Sequence, residues 1–173
     1  MDLSIIVAFD ENFVIGNDKD IPWRMDKEGR EKYSLDMQRF ASLTTGHPVI
    51  SGKVTYFSVP RKFRPLDNRQ NIIVTSTTPE SMLEEEREKG EVYTAQSFEE
   101  ALQIAEQFDT LAYAIGGEGI YSAAFEHATR MDLTRIKESF EGNVYFPQPN
   151  WDNWKLTAKQ IHEDFDFETY VRK

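Results

Sequence analysis

Hydrophobic and polar positions along this chain follow two periods, one typical of strands and the other typical of helices. Residues 3–9 form a continuous apolar run of strand length that contains Ile5, Ile6 and Val7, which predicts a buried central strand. Apolar runs and segments of helical spacing alternate after it. We expect strands at 48–51, 71–76, 91–94 and 111–115, and helices at 35–44, 81–89, 97–108 and 119–127.

The C-terminal part of the chain changes character. Phe165, Phe167 and Thr169 begin a regular period-two alternation, and little helix is expected there. We expect strands at 131–140, 154–162 and 164–172. Alternating strands and helices followed by a strand-rich end predict a three-layer α/β fold in a single domain over residues 1–173. Its central mixed sheet is mostly parallel, has an antiparallel C-terminal edge and is flanked by helices.

Residues 10–25 form a long polar connection that contains Gly16 and Pro22. The short apolar segment 13–15 interrupts it. Connections of this length inside a compact domain are often functional lids. Trp23 follows Pro22 directly, so we expect a rigid aromatic side chain to be presented there. The next stretch, 24–35, either lengthens the following helix or forms a flap.

One acidic residue, Asp36, lies among apolar helical positions. If residues 35–44 are helical, Asp36, Phe40 and Leu43 fall at i, i+4 and i+7, so a carboxylate shares the buried stripe with an aromatic ring. Burying an unpaired carboxylate is costly, and such a residue usually has a fixed partner or a ligand. Asp36 is therefore the acid for which a functional role is expected.

Glycine-rich turns follow two of the predicted strands. The segment 115–119 (Ile-Gly-Gly-Glu-Gly) lies between a strand and a helix, where main-chain N–H groups can approach a phosphate. The segment 52–55 (Gly-Lys-Val-Thr) follows another strand and offers a cation and a hydroxyl, and Thr75 and Ser76 end a third. Each turn alone is compatible with a purely structural role. Together they favour an extended polyphosphate ligand such as a dinucleotide.

The charge is unevenly distributed. A net charge of −10 disfavours nonspecific binding to nucleic acid. Residues 53–69 nevertheless carry five cations against one acid, which suggests either a small anionic ligand or a solvated basic loop. We expect the acidic segment 84–86 to be solvated.

The composition argues against several other classes of site. Without Cys the chain has no disulfide, no thiolate nucleophile and no Cys-ligated metal. Its three histidines are scattered without metal-ligand spacing, so we expect no metal site. Because no apolar run approaches the length of a membrane span, we expect a cytoplasmic protein that binds neither membrane nor nucleic acid.

The motifs occur in an order that resembles dihydrofolate reductase over nearly the whole chain. Segments 14–16 and 21–23 resemble the mobile lid of that family, and Asp36 with Phe40 resembles its substrate helix. Each motif is weak alone, whereas the ordered combination is specific. The other matching segments are 43–50, 52–55, 69–73, 115–121, 133–136 and 142–147.

This resemblance implies NADPH-dependent reduction of 7,8-dihydrofolate to 5,6,7,8-tetrahydrofolate, with hydride transfer to pterin C6 and protonation of N5. Asp36 is then the pocket carboxylate that binds the pteridine amino group and ring nitrogen. Thr134 shares its hydrogen bonds, and Trp23 belongs to the same catalytic group. Arg69 grips the α-carboxylate of the glutamate tail. The residues that line the pteridine and benzoyl portions are Ile6, Val7, Ala8, Phe40, Ser58 and Val59.

The same resemblance implies a binding site for NADPH. The residues that hold its adenosine end, including the 2′-phosphate, are Lys53, Thr55, Thr75 and Ser76. The residues that face the pyrophosphate and nicotinamide are Gly116, Gly117, Gly119 and Tyr121, with a cis peptide between the adjacent glycines. Ile15, Gly16, Gly52 and Ile115 complete the cofactor-binding set.

The chain departs from the family pattern in three places. Several additional residues separate Trp23 from Asp36, and Glu28 lies at the spacing found in shorter members. We favour Asp36 because it lies on an apolar stripe, which Glu28 does not. Lys53 stands where arginine is common, which leaves the preference for NADPH over NADH open. Asp132 stands where an aromatic residue is common, for no reason evident in the sequence.

Two alternative functions remain open at this point. One is the related reductase domain of riboflavin biosynthesis, which shares the fold and the Gly-Gly turn but acts on a phosphoribosyl-aminopyrimidine. The other is a non-catalytic nucleotide-binding module in which the carboxylate is structural. We expect a monomer whose partner is a small-molecule substrate, dihydrofolate.

Overall fold

One large sheet of eight strands, counted over the described part of the chain, organises the fold. The computed structural model describes residues 1–77 and 80–173, without the side chain of residue 80. The strands are β1 (Asp2–Phe9), β2 (Val14–Gly16), β3 (Val49–Gly52), β4 (Asn71–Val74), β5 (Val92–Ala95), β6 (Leu111–Gly116), β7 (Arg130–Ile136), β8 (Val144–Tyr145), β9 (Trp154–Ile161) and β10 (Phe165–Arg172). β2 and β8 pair separately, and the others have the order β5-β4-β3-β6-β1-β7-β10-β9.

The pairing directions confirm the predicted mixed sheet. β1 is parallel to β6 on one side and to β7 on the other, and β3, β4 and β5 continue the parallel arrangement. β10 runs antiparallel to both β7 and β9, so the antiparallel edge is C-terminal as predicted. The carboxyl ends of β1, β3, β4 and β6 meet at one edge, where α/β proteins commonly bind ligands.

Helices cover both faces of the sheet and complete the three layers. They are α1 (Lys27–Lys32), α2 (Ser34–Thr44), α3 (Lys53–Ser58), α4 (Glu84–Lys89), α5 (Phe98–Glu106) and α6 (Glu118–Ala124). On one face Ala101 of α5 and Ile120 of α6 pack in the same core cluster as Val7. On the other face Phe40 of α2 packs against Ile6. None of the helices within the described ranges is both long and apolar enough to cross a membrane.

The continuous apolar run of β1 has a direct explanation in this arrangement. Successive strand residues point to opposite faces, and both faces of β1 are covered by helices. Its side chains are therefore mostly apolar on both faces rather than at alternate positions, and the buried polar residue, Ser4, donates its hydroxyl to Asp132 at 2.9 Å.

Several predicted elements run past the observed ends, and the strand predicted over 131–140 differs most. β7 ends at Ile136 instead of residue 140, because the chain then turns away and Phe140 donates its main-chain N–H to the Asp10 carboxylate at 2.7 Å. The predicted helix over 81–89 becomes α-helical only at Glu84.

The stretch 24–35, which the sequence left undetermined, forms a helix of its own. Asp26 caps α1 by accepting the N–H of Gly29 at 2.7 Å. Gly29 packs closely on the preceding turn, since a Cβ there would lie 2.2 Å from the carbonyl oxygen of Trp23. Tyr33 then enters the core with 1% of its surface exposed and connects α1 to α2. The additional residues thus extend the helical layer by one short helix.

Candidate active site

Asp36 lies where helix α2 faces strand β7. Its Oδ1 accepts a hydrogen bond from the Thr134 hydroxyl at 2.6 Å, so the fold brings together two residues that the resemblance assigned to one site. The Asp36 side chain is half-buried, whereas Glu28, the other candidate acid, is exposed on α1. The fold therefore gives Asp36, and not Glu28, a partly buried position with a fixed partner.

The surroundings of Asp36 act on its protonation in opposite directions. Burial raises the pKa of the Asp36 carboxyl, and this is the largest effect. The hydrogen bond from Thr134 and the charges of Arg39 and Arg24 lower the same pKa. Asp36 in turn adds to burial in raising the pKa of the Tyr121 hydroxyl. A desolvated carboxylate with compensating donors and cations is the kind of group that binds or activates a ligand.

Trp23 and Arg24 bring unsatisfied donors to this region. Trp23 is only 3% exposed and packs against Phe140 and Tyr33, so it is a core residue and not the presented aromatic that the sequence suggested. Nε1 of Trp23 and Nη1 of Arg24 are buried, and neither finds an acceptor among the described residues. Because buried donors are normally satisfied, both atoms fit a ligand or a water molecule that supplies acceptors.

An apolar wall lies beside these polar groups. Ile6 and Val49 form a cluster under the sheet face that Phe40 covers. Ala8 packs against the cluster that contains Trp23. The side chain of Val7 points to the opposite face and lies in the core beneath α5 and α6, so only its main chain can face a ligand here.

Arg69 lies at the far end of α2 from Asp36. Its Nε donates to Thr44 Oγ1 at 2.9 Å, its Nη2 to Thr45 Oγ1 at 3.0 Å, and its Nη1 to the main-chain oxygen of Asp67 at 3.1 Å. Its guanidinium carbon lies 5.8 Å from the centre of the Phe40 ring. A guanidinium has five N–H donors, so further donors remain for a ligand carboxylate. Arg69 is thus a preorganised cation next to the apolar wall.

Ser58 and Val59 occupy the C-terminal end of α3. The Ser58 hydroxyl donates to the main-chain oxygen of Thr55 at 2.6 Å, and the oxygen of Val59 accepts from Arg64 Nη1 at 3.0 Å. These hydrogen bonds are local and do not join either residue to Asp36. The assignment of both residues to the substrate stays a prediction.

Part of the basic segment 53–69 is neutralised by helix α4. Arg64 forms an ion pair with Glu86 at 3.2 Å, and the Tyr56 hydroxyl donates to the same carboxylate at 2.9 Å. Glu86 is only 3% exposed, so the expectation that 84–86 is solvated was wrong for this residue. Because a buried acid needs a partner, Arg64 has a structural role as the partner of Glu86.

The two glycine turns that follow β3 and β6 meet in space. Ser51 pairs with Gly116 in the parallel register. A Cβ on Gly52 would lie 3.9 Å from the main-chain nitrogen of Gly117, and a Cβ on Gly117 would lie 3.2 Å from Thr55 Oγ1. The fold therefore brings together four residues that the sequence assigned to one cofactor.

Helices α3 and α6 begin from these turns without a side-chain cap. By contrast, α1 and α5 are capped by Asp26 and Ser97. The first N–H groups of an uncapped helix remain available to an external acceptor, and phosphate oxygens are well suited to them. Gly119, in the first turn of α6, has no atom within 4 Å of a Cβ placed on it. The uncapped N–H groups and the open glycine fit the pyrophosphate of a dinucleotide.

Gly116 has a conformation that excludes a side chain. Its φ is +119°, and its peptide bond to Gly117 is cis, as the resemblance implied. A Cβ on Gly116 would lie 3.1 Å from the Tyr121 hydroxyl, which donates to the main-chain oxygen of Ile6 at 3.1 Å. Tyr121 is 5% exposed, so it supports the turn from the core side. Ile115, just before the turn, is half-buried.

The third predicted anchor lies one strand further out. Gly52 pairs with Val74 in register, so Thr75 and Ser76 follow at the edge of the sheet where α3 starts. Thr75 and Lys53 are half-buried, and Ser76 is exposed. The sheet thus places one cation and two hydroxyls at the same rim, the arrangement expected for the adenosine end of the cofactor.

A second loop holds the lid segment in place. Ile15 and Gly16 lie in β2, which pairs with β8. The N–H of Asn143 donates to the oxygen of Gly16 at 3.1 Å, and Asn143 exchanges two hydrogen bonds of 2.8 Å with Asp18. A Cβ on Gly142 would lie 2.6 Å from the oxygen of Gly16, so the two loops are in direct contact.

Sequence reasoning missed Asp10 and Asn143, two residues that hold the lid segment in place. Asp10 is 2% exposed and accepts the N–H groups of Asn12 at 2.8 Å, Val14 at 2.9 Å and Phe140 at 2.7 Å. It therefore ties the start of the lid to the loop after β7. An Asp directly after a buried strand signals a turn in the sequence, but its distant partner leaves no local signal.

Comparisons with known proteins bear on this geometry. The family model described as dihydrofolate reductase matches residues 2–172. The chain belongs to the dihydrofolate reductase family. This membership confirms the resemblance seen in the sequence and does not favour the riboflavin-pathway reductase or the non-catalytic module.

Individual dihydrofolate reductases are similar to the chain over nearly its whole length. The enzyme of Bacillus subtilis (strain 168) is 32% identical over 99% of this chain and 95% of that relative. The enzyme of Rattus norvegicus is 30% identical, with coverage of 99% and 97%. A dihydrofolate reductase from Enterococcus faecalis, solved in complex with NADP(H) and RAB-propyl, aligns with a TM-score of 0.77 and 26% identity, covering 99% of this chain and 96% of that one.

Proposed function

We infer that the chain reduces 7,8-dihydrofolate to 5,6,7,8-tetrahydrofolate with NADPH. One observation carries this conclusion at the level of geometry. The half-buried Asp36 carboxylate is held by Thr134 at 2.6 Å, and two buried donors of the turn before α1, Trp23 Nε1 and Arg24 Nη1, find no acceptor among the described residues. A pterin edge carries N–H donors next to a carbonyl, so it complements both kinds of group.

We propose that Asp36 accepts the pterin amino group and ring N–H through its two oxygens. Thr134 keeps one oxygen oriented, and Ile6 and Phe40 exclude water from the ring faces. Charge-assisted hydrogen bonds of this kind are stronger when water is excluded. Asp36 then polarises the ring, and a water molecule that enters past the lid supplies the proton that N5 gains.

The other end of the substrate meets Arg69. Its remaining N–H donors would bind the α-carboxylate of the glutamate tail, because a fixed guanidinium matches a carboxylate in a bidentate geometry. The bonds to Thr44 and Thr45 hold the guanidinium in place before a ligand arrives. The length of α2 separates this cation from Asp36, which suits a substrate with a ring at one end and a carboxylate at the other.

The cofactor side is assigned to the turns after β3 and β6. Gly52, Gly116, Gly117 and Gly119 would let main-chain N–H groups approach the pyrophosphate, and Lys53 would attract the 2′-phosphate. When bound there, NADPH supplies the hydride that reduces the pterin ring. The pairing of β2 with β8 holds Gly16 within the lid segment, which would cover this site and limit the access of water.

We propose that the protein acts as a monomer in the cytoplasm. Every residue of the candidate site comes from one chain, and the net charge of −10 opposes binding to nucleic acid. Size-exclusion chromatography with light scattering would measure the mass directly, and a stable dimer would contradict this proposal.

A spectrophotometric assay tests the activity. NADPH oxidation is followed with dihydrofolate and, separately, with the phosphoribosyl-aminopyrimidine of riboflavin biosynthesis. We expect turnover with dihydrofolate only. Oxidation with the riboflavin intermediate alone would assign the related reductase, and cofactor binding without turnover of either compound would assign a non-catalytic module.

A further inference from the structure

Asp132, a second buried carboxylate, lies on the same strand as Thr134, two residues earlier. It is 0% exposed. Arg130 contacts it with Nε and Nη2, each at 2.8 Å, and Arg39 Nη2 contacts it at 3.3 Å. Hydroxyl donors complete its surroundings, from Ser4 at 2.9 Å and Thr169 at 3.1 Å. These donors explain why an acid is tolerated at this buried position.

Arg39 is fixed from several directions. Besides the contact with Asp132, its Nη1 donates to the main-chain oxygen of Leu133 at 3.2 Å. Its guanidinium carbon lies 4.6 Å from the centre of the Phe167 ring. The side chain is 17% exposed. Arg39 is therefore a cation with a defined position rather than a mobile surface group.

Two side-chain contacts join helix α2 to strand β7. Asp36 and Arg39 are three residues apart on α2 and lie on one helical face. Thr134 and Asp132 are two residues apart on β7 and point to one side of the sheet. Asp36 contacts Thr134, and Arg39 contacts Asp132. This pairing fixes the rotation of α2 and holds a positive charge next to the pocket carboxylate.

Among the described residues, four groups interact with Asp36. Three of them act on the pKa of Asp36, namely the Thr134 hydroxyl from β7, the Arg24 guanidinium from the turn before α1 and Arg39 on α2 itself, and the fourth, the Tyr121 hydroxyl from α6, has its own pKa raised by Asp36. Of the two cations, Arg39 is anchored by an ion pair, whereas Arg24 has a buried Nη1 without an acceptor. Arg39 is therefore the cation whose distance from Asp36 the fold itself determines.

We propose that Arg39, anchored by Asp132, is a positioning residue that keeps Asp36 ionised and oriented for the substrate. The role rests on the proposed function of Asp36. It also gives a reason for the acid at position 132, which the family pattern left unexplained: the Asp132 carboxylate holds the arginine that acts on Asp36.

The test compares Arg39→Met with Arg39→Lys and with Arg130→Met. Arg39→Met removes the charge at similar length, and Arg39→Lys restores the charge. Arg130→Met removes the other cation that contacts Asp132; the Arg130 side chain is 44% exposed. The Asp36 carboxyl is titrated by carbon-13 NMR in the free protein. Affinities for dihydrofolate and for NADPH are measured alongside, at the pH of the wild-type midpoint.

In Arg39→Met we expect the Asp36 midpoint to move to higher pH and the Kd for dihydrofolate to rise about threefold to tenfold. The Kd for NADPH stays within about twofold, because its site is formed by other strands. Arg39→Lys reverses most of this shift in the Asp36 midpoint, and Arg130→Met leaves the wild-type midpoint unchanged. If Arg39→Met does not fold, Arg39→Gln gives the same comparison, since it keeps donors without the charge.

An unchanged Asp36 midpoint in the uncharged variant, with only a lower Tm, would overturn the proposal and leave Arg39 a structural residue. A shift of equal size in Arg130→Met would overturn it too, since the effect would then belong to Asp132. The titration needs no turnover. A wild-type protein that binds but does not reduce dihydrofolate would therefore refute the proposed function separately.

Discussion

Along helix α2 and its contact with β7, the proposed recognition of the substrate depends on side chains, whereas at the turns after β3 and β6 the proposed recognition of the cofactor depends on the main chain. The first region joins Asp36 and Thr134 by a specific hydrogen bond, and Arg69, at the far end of α2, is fixed by hydrogen bonds of its own. The second region gathers glycines and uncapped helix starts. A pterin ring presents a particular pattern of donors and acceptors that only matched side chains can read. A pyrophosphate presents diffuse negative charge that main-chain N–H groups can bind.

This contrast predicts different consequences of substitution. Changing the chemistry of one side chain should damage substrate binding and leave the fold intact. Adding atoms to a glycine should disturb the fold and the cofactor together.

The largest effect is expected from Asp36→Asn. The variant keeps the shape but cannot carry the charge that pairs with the pterin edge, so kcat/KM for dihydrofolate at neutral pH should fall about 100-fold or more. NADPH affinity should change little. Steady-state kinetics and a fluorescence titration of NADPH measure the two quantities. Glu28→Gln is the control because Glu28 is exposed; full activity in Asp36→Asn together with loss in Glu28→Gln would reverse the assignment.

A smaller effect is expected from Arg69→Ala. It should weaken dihydrofolate binding about 10- to 100-fold, the range for losing a charged hydrogen-bond donor. A pterin without the glutamate tail should lose little affinity. Arg61→Ala is the matched control, because Arg61 has a side chain that is 66% exposed and pairs with Glu85. Equal weakening of both ligands by Arg69→Ala would remove the carboxylate role.

On the cofactor side, Gly116→Ala tests whether the main-chain conformation matters. The residue has a φ of +119° and no room beside the Tyr121 hydroxyl, so the variant should lose about 1–3 kcal/mol of unfolding free energy. NADPH affinity should fall about tenfold, since a loss of about 1.4 kcal/mol in binding corresponds to that factor. Urea unfolding and isothermal titration measure the two effects.

Gly119→Ala is the control for the same turn. Its added methyl group meets no atom of the protein, and alanine favours helix, so unfolding should be unchanged or slightly more difficult. Any loss of NADPH affinity in this variant then reports contact with the cofactor alone. If Gly116→Ala and Gly119→Ala have the same unfolding free energy, the backbone conformation of Gly116 does not limit stability.

The smallest effect concerns stability and pH in Asp36→Asn. Burial raises the folded-state pKa of Asp36 above its unfolded value, so the destabilisation is absent below the unfolded pKa and complete above the folded pKa. Asparagine does not ionise, so the variant should gain about 2–4 °C in Tm at neutral pH for each 1 kcal/mol relieved. The gain should vanish in acid. Thermal unfolding at several pH values measures it, and a neutral-pH Tm below that of wild type would contradict the expected sign.

Most of the fold was predictable because burial leaves a local pattern. The apolar run of β1 indicates that both of its faces are covered, and the alternation in β10 predicts a strand, although its polar residues Asp166 and Glu168 are buried as well. The extent of β7 was not predictable, because the Asp10 carboxylate that receives the chain at Phe140 is distant in sequence. The structure of 24–35 was left undetermined because Gly29 breaks the helical pattern, and only the contact with Trp23 shows why glycine is required there.

In the candidate site, too, features with a local sequence pattern were predictable, and features set by distant contacts were not. Asp36 stood out from its spacing, and the glycine turns from their composition and place after strands. Other features of the site depend on packing between elements that are distant in sequence. They are the orientation of Val7 away from the apolar wall, the burial of Trp23 and the pairing of Glu86 with Arg64. Their sequence neighbours carry no signal of it.

The sequence alone determined the order of strands and helices, the acid on the apolar stripe and the glycines at the strand ends, because these follow from local periodicity and from backbone conformations that few residues adopt. The tertiary structure decided which charges meet. Whether an arginine acts on Asp36, neutralises Asp132 or pairs with Glu86 depends on distances of a few ångströms between segments far apart in the chain, and charge interactions change steeply over such distances.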